Sequence, residues 1–153
     1  MMYIRLLVFI NKLLIRLLRT IGRSGSALPG LLIERLCPNF LDTILADVQD
    51  KVILITGTNG KTTTTKMLVE GLRSSGSRVV TNSTGSNMTR GLISALIEDM
   101  TYSGRLKPTD WFVFEMDEAY SPIFTKNLKP KLLLALNVLR DQLDRYGELD
   151  QTA

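Results

Sequence analysis

The sequence predicts an α/β fold: a parallel sheet with flanking helices, preceded by an N-terminal amphipathic helix. Three observations carry this prediction. Four short runs are continuously apolar rather than alternating, which is typical of parallel strands buried on both faces. Segments of helical periodicity separate these runs, as in successive strand–helix–strand units. A glycine-rich turn joins the first apolar run directly to the helix that follows it.

The first predicted element is the amphipathic helix. Apolar residues recur at helical spacing from Leu6 to Ile21, with basic residues between them and no acidic residue among the first 23. The longest uninterrupted apolar run, Leu6 to Ile10, is too short to span a bilayer or to form a signal-peptide core. The favoured interpretation is a helix packed on its own domain or on a partner subunit. The alternative is peripheral contact with the anionic inner face of a membrane.

A break rich in Gly, Ser and Pro is expected next, over residues 22–30. Two short helices are expected at residues 31–37, ending before Pro38, and at residues 41–48. We therefore assign residues 1–48 to an N-terminal helical segment and residues 49–153 to the domain that contains the sheet.

The elements of the sheet domain alternate along the rest of the chain. Strands are predicted at residues 51–56, 78–84, 111–116 and 131–138, and helices at residues 61–75 and 88–100. The sequence stops after the fourth strand without a closing element of its own, so we expect the domain to be incomplete.

Composition limits the available chemistry. The 153 residues include no histidine and one cysteine, Cys37, which excludes an internal disulfide and a site of clustered cysteines. Any reaction must therefore use carboxylates, hydroxyls, lysines, backbone amides or a hard metal ion. The net charge of +4 lies largely in the first 23 residues, so a nucleic-acid surface is not indicated. A lone cysteine fits a reducing compartment, and we expect a cytoplasmic protein.

The turn that follows the first strand predicts a phosphate-binding loop. Its sequence from residue 57 to 62 is Gly-Thr-Asn-Gly-Lys-Thr. Glycines let backbone N–H groups close on phosphate oxygens, and the start of the next helix adds unpaired donors. Lys61 supplies a charge for the β- and γ-phosphates, and the Thr62 hydroxyl is placed to bind Mg²⁺. The loop is two residues shorter than G-x-x-x-x-G-K-[ST], which would need glycine in place of Ile55.

A second magnesium ligand is expected at the end of the third strand. Glu115 occupies this position, and the C-terminal ends of parallel strands share one edge of the sheet. An acid directly after a hydrophobic strand is costly unless it is paired or bound. Asp117 is left open between a site residue and a helix start, and Glu118 is interpreted as a residue that begins a helix.

Polar segments also follow the second and fourth strands. The segment after the second strand is rich in hydroxyls and amides, and the one after the fourth contains Asn137, Asp141, Gln142, Asp144 and Arg145. Spacing alone does not separate a site from a solvated loop at either place.

Three segments, in this order, resemble one known family: GTNGKTTT, FEMDEA and NVLRDQLDRYGE. They resemble the central ATPase domain of the Mur ligases, which form amide bonds with ATP in peptidoglycan synthesis and are related to folylpolyglutamate synthetase. The short loop is that superfamily's form of the P-loop. Within the family, GRSGSALPG, GSNMTRG and RDQLDRYGE are most similar to the ligase subunits of lipid II isoglutaminyl synthases. Amino-acid-adding ligases usually have a histidine where this chain has Gln142.

The resemblance implies a reaction and a set of residues. ATP and Mg²⁺ would phosphorylate the α-carboxylate of D-glutamate in the lipid II stem peptide. Ammonia from a separate glutamine amidotransferase subunit would displace the phosphate and leave D-isoglutamine. Lys61 and Glu115 would be catalytic, and Thr62 and Glu115 would bind magnesium. The nucleotide would be held by Gly57, Thr58, Asn59, Gly60, Lys61, Thr62, Thr63, Asn137 and Asp141.

The chain also departs from the family. There the domain continues further, contains an insertion with cysteine-bound zinc and precedes a C-terminal domain, whereas Cys37 is alone and the zinc site is absent from this chain. Two alternatives stay open: another Mur ligase or folylpolyglutamate-type synthetase, and a truncated nucleotide-binding module without turnover. A P-loop GTPase or kinase is disfavoured by the loop length and by the lack of an Asn-Lys-x-Asp sequence.

Overall fold

The fold was analysed in a computed structural model, which describes residues 2–20, 27–82 and 88–137. The helices are α1 (Met2–Thr20), α2 (Ala27–Leu36), α3 (Phe40–Leu45), α4 (Lys61–Ser74), α5 (Thr89–Asp99) and α6 (Ser121–Asn127). A 3₁₀ helix, Ala46–Lys51, joins α3 to the first strand. The strands are β1 (Val52–Thr56), β2 (Val79–Thr81), β3 (Trp111–Glu115) and β4 (Leu132–Ala135).

The N-terminal helices agree with the sequence interpretation except at two boundaries. The helix expected at residues 41–48 ends at Leu45 and continues as the 3₁₀ helix Ala46–Lys51. The break expected through residue 30 is wrong for its last four residues, because α2 begins at Ala27. Proline is tolerated in the first turn of a helix, where its missing N–H has no intrahelical partner, so Pro29 does not delay the start. Gly30 serves packing rather than a loop: a Cβ there would lie 2.9 Å from the Arg90 Cα, so glycine lets α2 approach α5 closely.

The four strands form one parallel sheet in the order β2-β3-β1-β4. Register is set by pairs such as Val52 with Phe112 and Ile53 with Leu132. Strand β1 is an interior strand. The connection after β1 passes β3 to reach β2, whereas the connection after β3 passes β1 to reach β4 on the opposite side. The connections therefore diverge beside β1, and ligands of open α/β sheets bind at such a switch point. The predicted parallel α/β sheet with flanking helices is confirmed.

Right-handed connections determine which helices cover each face. The β1–α4–β2 connection runs in the opposite direction to the other two, so α4 covers one face and α5 and α6 cover the other. The α4 side holds a small apolar cluster with Ile53, Ile55 and Val69. The opposite side holds the larger cluster, in which Leu54 and Phe112 pack against residues of α1, α2, α3, α5 and α6.

The N-terminal helical segment thus shares a core with the sheet. Leu7 and Val8 of α1, Ile33 of α2 and Phe40 of α3 all belong to the larger cluster. This confirms the favoured interpretation of α1 as a helix packed on its own domain. The proposed boundary between residues 48 and 49 stays a prediction.

Strand β4 is less buried than its apolar sequence predicts. As the edge strand of the sheet, it leaves Leu132 and Leu133 45% and 48% exposed. Across the three described ranges, no helix is both long and apolar enough to cross a bilayer.

Candidate nucleotide site

The turn from β1 to α4 depends on two glycines. Gly57 has φ +136° and Gly60 has φ +87°, which residues with a Cβ rarely adopt. At Gly57 a Cβ would also lie 2.9 Å from the carbonyl oxygen of Asn137. Gly60 is the N-cap of α4 and offers no side-chain cap, so the first-turn N–H groups of the helix are available to an anion. The turn therefore has the backbone geometry that the predicted phosphate-binding loop requires.

Asn137, two residues after the end of β4, holds the tip of this turn. Its Oδ1 accepts from the Asn59 backbone N–H at 2.9 Å, and its Nδ2 donates to the Asn59 carbonyl at 3.0 Å. The Asn137 carbonyl accepts from the Thr58 N–H at 2.9 Å. Three hydrogen bonds across 78 or 79 residues of sequence therefore fix the loop backbone to the end of β4. This places Asn137 as a residue that positions the loop.

Lys61 lies over the turn and pairs with an acid from another strand end. Its Nζ is 3.3 Å from Glu118 Oε2 and donates to the Gly57 carbonyl and, at 3.3 Å, to the Thr58 carbonyl. Glu118 Oε1 accepts from the Thr58 hydroxyl at 3.0 Å. Lys61 and Glu118 have side-chain exposures of only 11% and 3%. A phosphate that enters the turn therefore meets a partly buried lysine already neutralised by a carboxylate.

This contact corrects the interpretation of Glu118 as a helix-starting residue. The helix α6 begins three residues later, at Ser121. The sequence signal was available, since Glu118 follows Glu115 by three residues at a strand end that a parallel sheet brings to the loop. Position alone points to a helix start instead, because acids are common in the first turn of a helix.

Glu115 ends β3 beside β1, with its side chain 3% exposed. Its backbone N–H and carbonyl pair with the side-chain amide of Asn82, both at 2.9 Å, which ties the ends of β2 and β3 together. Its Oε2 has no hydrogen-bond partner among the described residues, nor have the buried hydroxyls of Thr65 and Thr81. All three unpartnered atoms belong to residues that line one cavity of about 380 Å³, together with Thr62 and Asn82.

The carboxylate and hydroxyl oxygens that line this cavity fit a magnesium ion bound together with phosphate. Mg²⁺ takes oxygen ligands and usually keeps several waters, with one or two protein carboxylates or hydroxyls plus the phosphates of its nucleotide. Thr62 and Glu115 offer one hydroxyl and one carboxylate around the same cavity. Across residues 2–20, 27–82 and 88–137, no group of three or more Cys, Asp and Glu residues is placed to hold a metal ion without such help.

The structure brings most of the predicted residues to one edge of the sheet. The residues from Gly57 to Thr63 form the turn and the first turn of α4, Glu115 lies at the end of the adjacent strand, and Asn137 contacts the turn. Asp141 lies outside the described residues. Sequence interpretation did not single out Asn82, although it directly follows a strand. The binding and catalytic roles of these residues stay predictions.

The fold and this turn define the class, an α/β domain of the P-loop type. Residues 55–153 match the Mur ligase middle domain, and the chain belongs to the Mur ligase family, whose members are ATP-dependent ligases. The predicted family is therefore confirmed.

Relatives in two branches of the family are similar to this chain. It is 33% identical over 143 residues to the lipid II isoglutaminyl synthase (glutamine-hydrolyzing) subunit MurT of Staphylococcus aureus (strain COL), covering 94% of this chain and 31% of that protein. The same subunit from Streptococcus pneumoniae (strain ATCC BAA-255 / R6) is 33% identical over 135 residues, 88% of this chain and 29% of that protein.

A UDP-N-acetylmuramoylalanine–D-glutamate ligase, from Natranaerobius thermophilus, is 33% identical over 107 residues, 69% of this chain and 21% of that ligase. The chain thus spans about a third, or less, of the length of these curated relatives.

Proposed function

We propose that this chain is the ATP-binding part of a lipid II isoglutaminyl synthase, on its ligase subunit. The reaction would amidate the α-carboxylate of D-glutamate in the lipid II stem peptide. A partner glutamine amidotransferase would supply ammonia, and the reaction would take place in the cytoplasm. Residues 49–153 would bind the nucleotide, and residues 1–48 would form an N-terminal helical segment.

One observation carries the nucleotide assignment: Lys61 lies at the turn, and Glu115, whose buried Oε2 has no hydrogen-bond partner among the described residues, ends the strand beside β1 at the switch point of the sheet. A lysine and a carboxylate at such a turn match the charges of a magnesium–nucleotide complex. Similarity to the MurT subunits over 94% of the chain supports the choice of lipid II over other acceptors.

The residues would act by positioning and by charge. The γ-phosphoryl group of ATP would pass to a carboxylate oxygen of D-glutamate, with ADP released. Ammonia would then attack the acyl carbon, expel inorganic phosphate and lose a proton to solvent. Lys61 would exchange Glu118 for the γ-phosphate, and Thr62 and Glu115 would hold Mg²⁺ beside it. Phosphoryl transfer to a carboxylate needs charge neutralisation and alignment, so the absence of histidine from the sequence is no obstacle.

Calorimetric titration of the chain with ATP and Mg²⁺ tests the nucleotide site. Wild type should bind, and Lys61→Ala should lose binding at least tenfold because a charge-assisted contact to phosphate is removed. Lys126→Ala, on the exposed side of α6, is the matched control and should bind as wild type does. Equal affinity of wild type and Lys61→Ala would overturn the site.

A second assay separates the acceptor substrates. The chain is incubated with ATP, Mg²⁺, ammonium chloride and lipid II, and mass spectrometry follows replacement of the carboxyl hydroxyl by an amino group. Ammonium supplies nitrogen without the amidotransferase. If the product forms only from UDP-N-acetylmuramoylalanine and D-glutamate, the activity of the second group of relatives applies instead. ATP binding with neither product would favour a nucleotide-binding module without turnover.

A further inference from the structure

The outward face of α1 carries a continuous apolar stripe. It consists of Tyr3, Leu6, Ile10, Leu13 and Leu17, which are 45–59% exposed. Successive spacings of three and four residues place them on one side of the helix. The inward face is occupied by other residues, since Leu7, Val8 and Ile15 are buried in the core. The outer stripe is therefore additional to the apolar surface that holds α1 on the domain.

A cluster of cations lies beside the outer stripe. Lys12 Nζ is 5.3 Å from the centre of the Tyr102 ring, and the Arg16 guanidinium is 5.1 Å from it. Lys12 and Arg16 line, with Lys107 and Glu98, an open cavity of about 490 Å³. The exposed Arg5 lies seven residues before Lys12 and continues the same basic side of the helix.

Positive charge is in excess at this cavity. Burial and the nearby charge of Lys107 lower the pKa of Lys12 below its usual value, against smaller opposite effects of Asp99 and Glu98. Asp99 is engaged by Arg78, and Lys12 Nζ donates to the Glu98 backbone carbonyl at 3.0 Å. An anion in the cavity would relieve the repulsion between the two lysines.

We propose that α1 docks the domain on a bilayer containing anionic phospholipids, parallel to the membrane plane. The outer stripe would enter the acyl boundary, and Arg5, Lys12, Arg16 and Lys107 would contact lipid phosphates. Helices of this composition bind in the interface, with cations beside the apolar face that reach the headgroups. The proposal concerns a surface separate from the nucleotide site and does not depend on the proposed reaction.

Charge selects a lipid surface over a second copy of the chain. The segment 2–20 contains Arg5, Lys12, Arg16 and Arg19 and no acidic residue. Two outer stripes packed together would bring these like charges side by side, which is unfavourable. An anionic bilayer supplies both an apolar interior and neutralising phosphates.

Co-sedimentation of the full chain with vesicles tests the proposal. The chain should sediment with phosphatidylcholine vesicles that contain phosphatidylglycerol, and at least tenfold less with phosphatidylcholine alone. High salt should weaken the binding because lipid charges are screened. Equal sedimentation with both vesicle types, or with neither, would overturn the proposal.

Variants assign the binding to α1. Leu13→Gln should weaken vesicle binding at least tenfold, and Arg16→Gln about fivefold, the usual effect of one cation near an anionic surface. Met67→Gln and Lys126→Gln, at exposed positions of α4 and α6, are the matched controls and should bind as wild type does. Thermal unfolding checks that each variant is folded. If Leu13→Gln does not fold, Leu6→Ser is used in its place.

Light scattering of the lipid-free chain completes the test. A monomer is expected. A dimer that becomes monomeric in Leu13→Gln would show that a second copy covers the outer stripe, and would overturn the proposal.

Discussion

The sheet edge and the outer face of α1 show opposite exceptions to normal burial. At the sheet edge, polar atoms of Glu115, Thr65 and Thr81 are buried without partners among the described residues. On α1, by contrast, the outer stripe leaves large apolar side chains half exposed. Folded proteins usually pair buried polar groups and limit exposed apolar patches. Both exceptions agree with the two proposals, a charged ligand at the sheet edge and an anionic bilayer at α1.

The largest expected effect separates the two faces of α1. Leu7→Ala should lower the free energy of unfolding by about 2–5 kcal/mol, because it leaves a cavity in the core. Leu6→Ala should lower it by less than about 0.5 kcal/mol. The two neighbours are 5% and 57% exposed, so they form a matched pair. Urea denaturation measures both values, and equal losses would mean that Leu6 is also packed in solution.

The next effect concerns the charge of Glu115. In wild type, saturation with ATP and Mg²⁺ at a hundred times the dissociation constant should stabilise the fold by about 2.7 kcal/mol. Glu115→Gln keeps the shape of the side chain but removes the charge, so the part of this stabilisation that depends on Mg²⁺ should disappear. Thermal unfolding with ATP, with and without Mg²⁺, measures it. Asp50→Asn, at an exposed acid of the 3₁₀ helix, should retain the Mg²⁺ effect. A full effect in Glu115→Gln would remove this residue from the metal site.

A smaller effect on ATP affinity is expected when the turn loses its side-chain hydrogen bonds to Asn137. Asn137→Ala removes both side-chain hydrogen bonds to Asn59 and keeps the backbone bond to Thr58. ATP should bind about tenfold more weakly, equivalent to about 1.4 kcal/mol, because the loop must be ordered on binding. Calorimetric titration measures the affinity. Asn39→Ala is a suitable control, since that exposed asparagine makes no side-chain cap bond to α3. Unchanged affinity in Asn137→Ala would show that these hydrogen bonds are not needed for ATP binding.

The smallest effect should come from Glu118. Glu118→Gln keeps an acceptor for the Thr58 hydroxyl but removes the charge that competes with phosphate for Lys61. ATP should bind about fivefold more tightly, equivalent to about 1 kcal/mol. Asp50→Asn again serves as the control for a lost negative charge. Weaker binding in Glu118→Gln would mean that this carboxylate supports the bound nucleotide instead of competing with it.

Much of the fold and part of the site were predictable because they depend on local pattern. Continuous apolar runs identified the four strands, and Gly57 to Thr62 identified the turn before any contact was known. The boundary of α2 was not predictable, because Gly30 has a packing role that depends on the distance to α5. Glu118 was misinterpreted for a similar reason, since its contact with Lys61 joins residues 57 positions apart.

The parallel α/β class, the phosphate-type turn and the amphipathic character of the first helix can all be derived from the amino-acid pattern. These follow from periodicity and from glycine, which act over a few residues. Three other features depend on long-range contacts: Asn137 holds the turn, Glu118 neutralises Lys61, and one apolar stripe of α1 stays outside the core. These features could not be derived from local pattern, because strand order and helix packing determine which distant side chains meet and which apolar side chains are left without a neighbour.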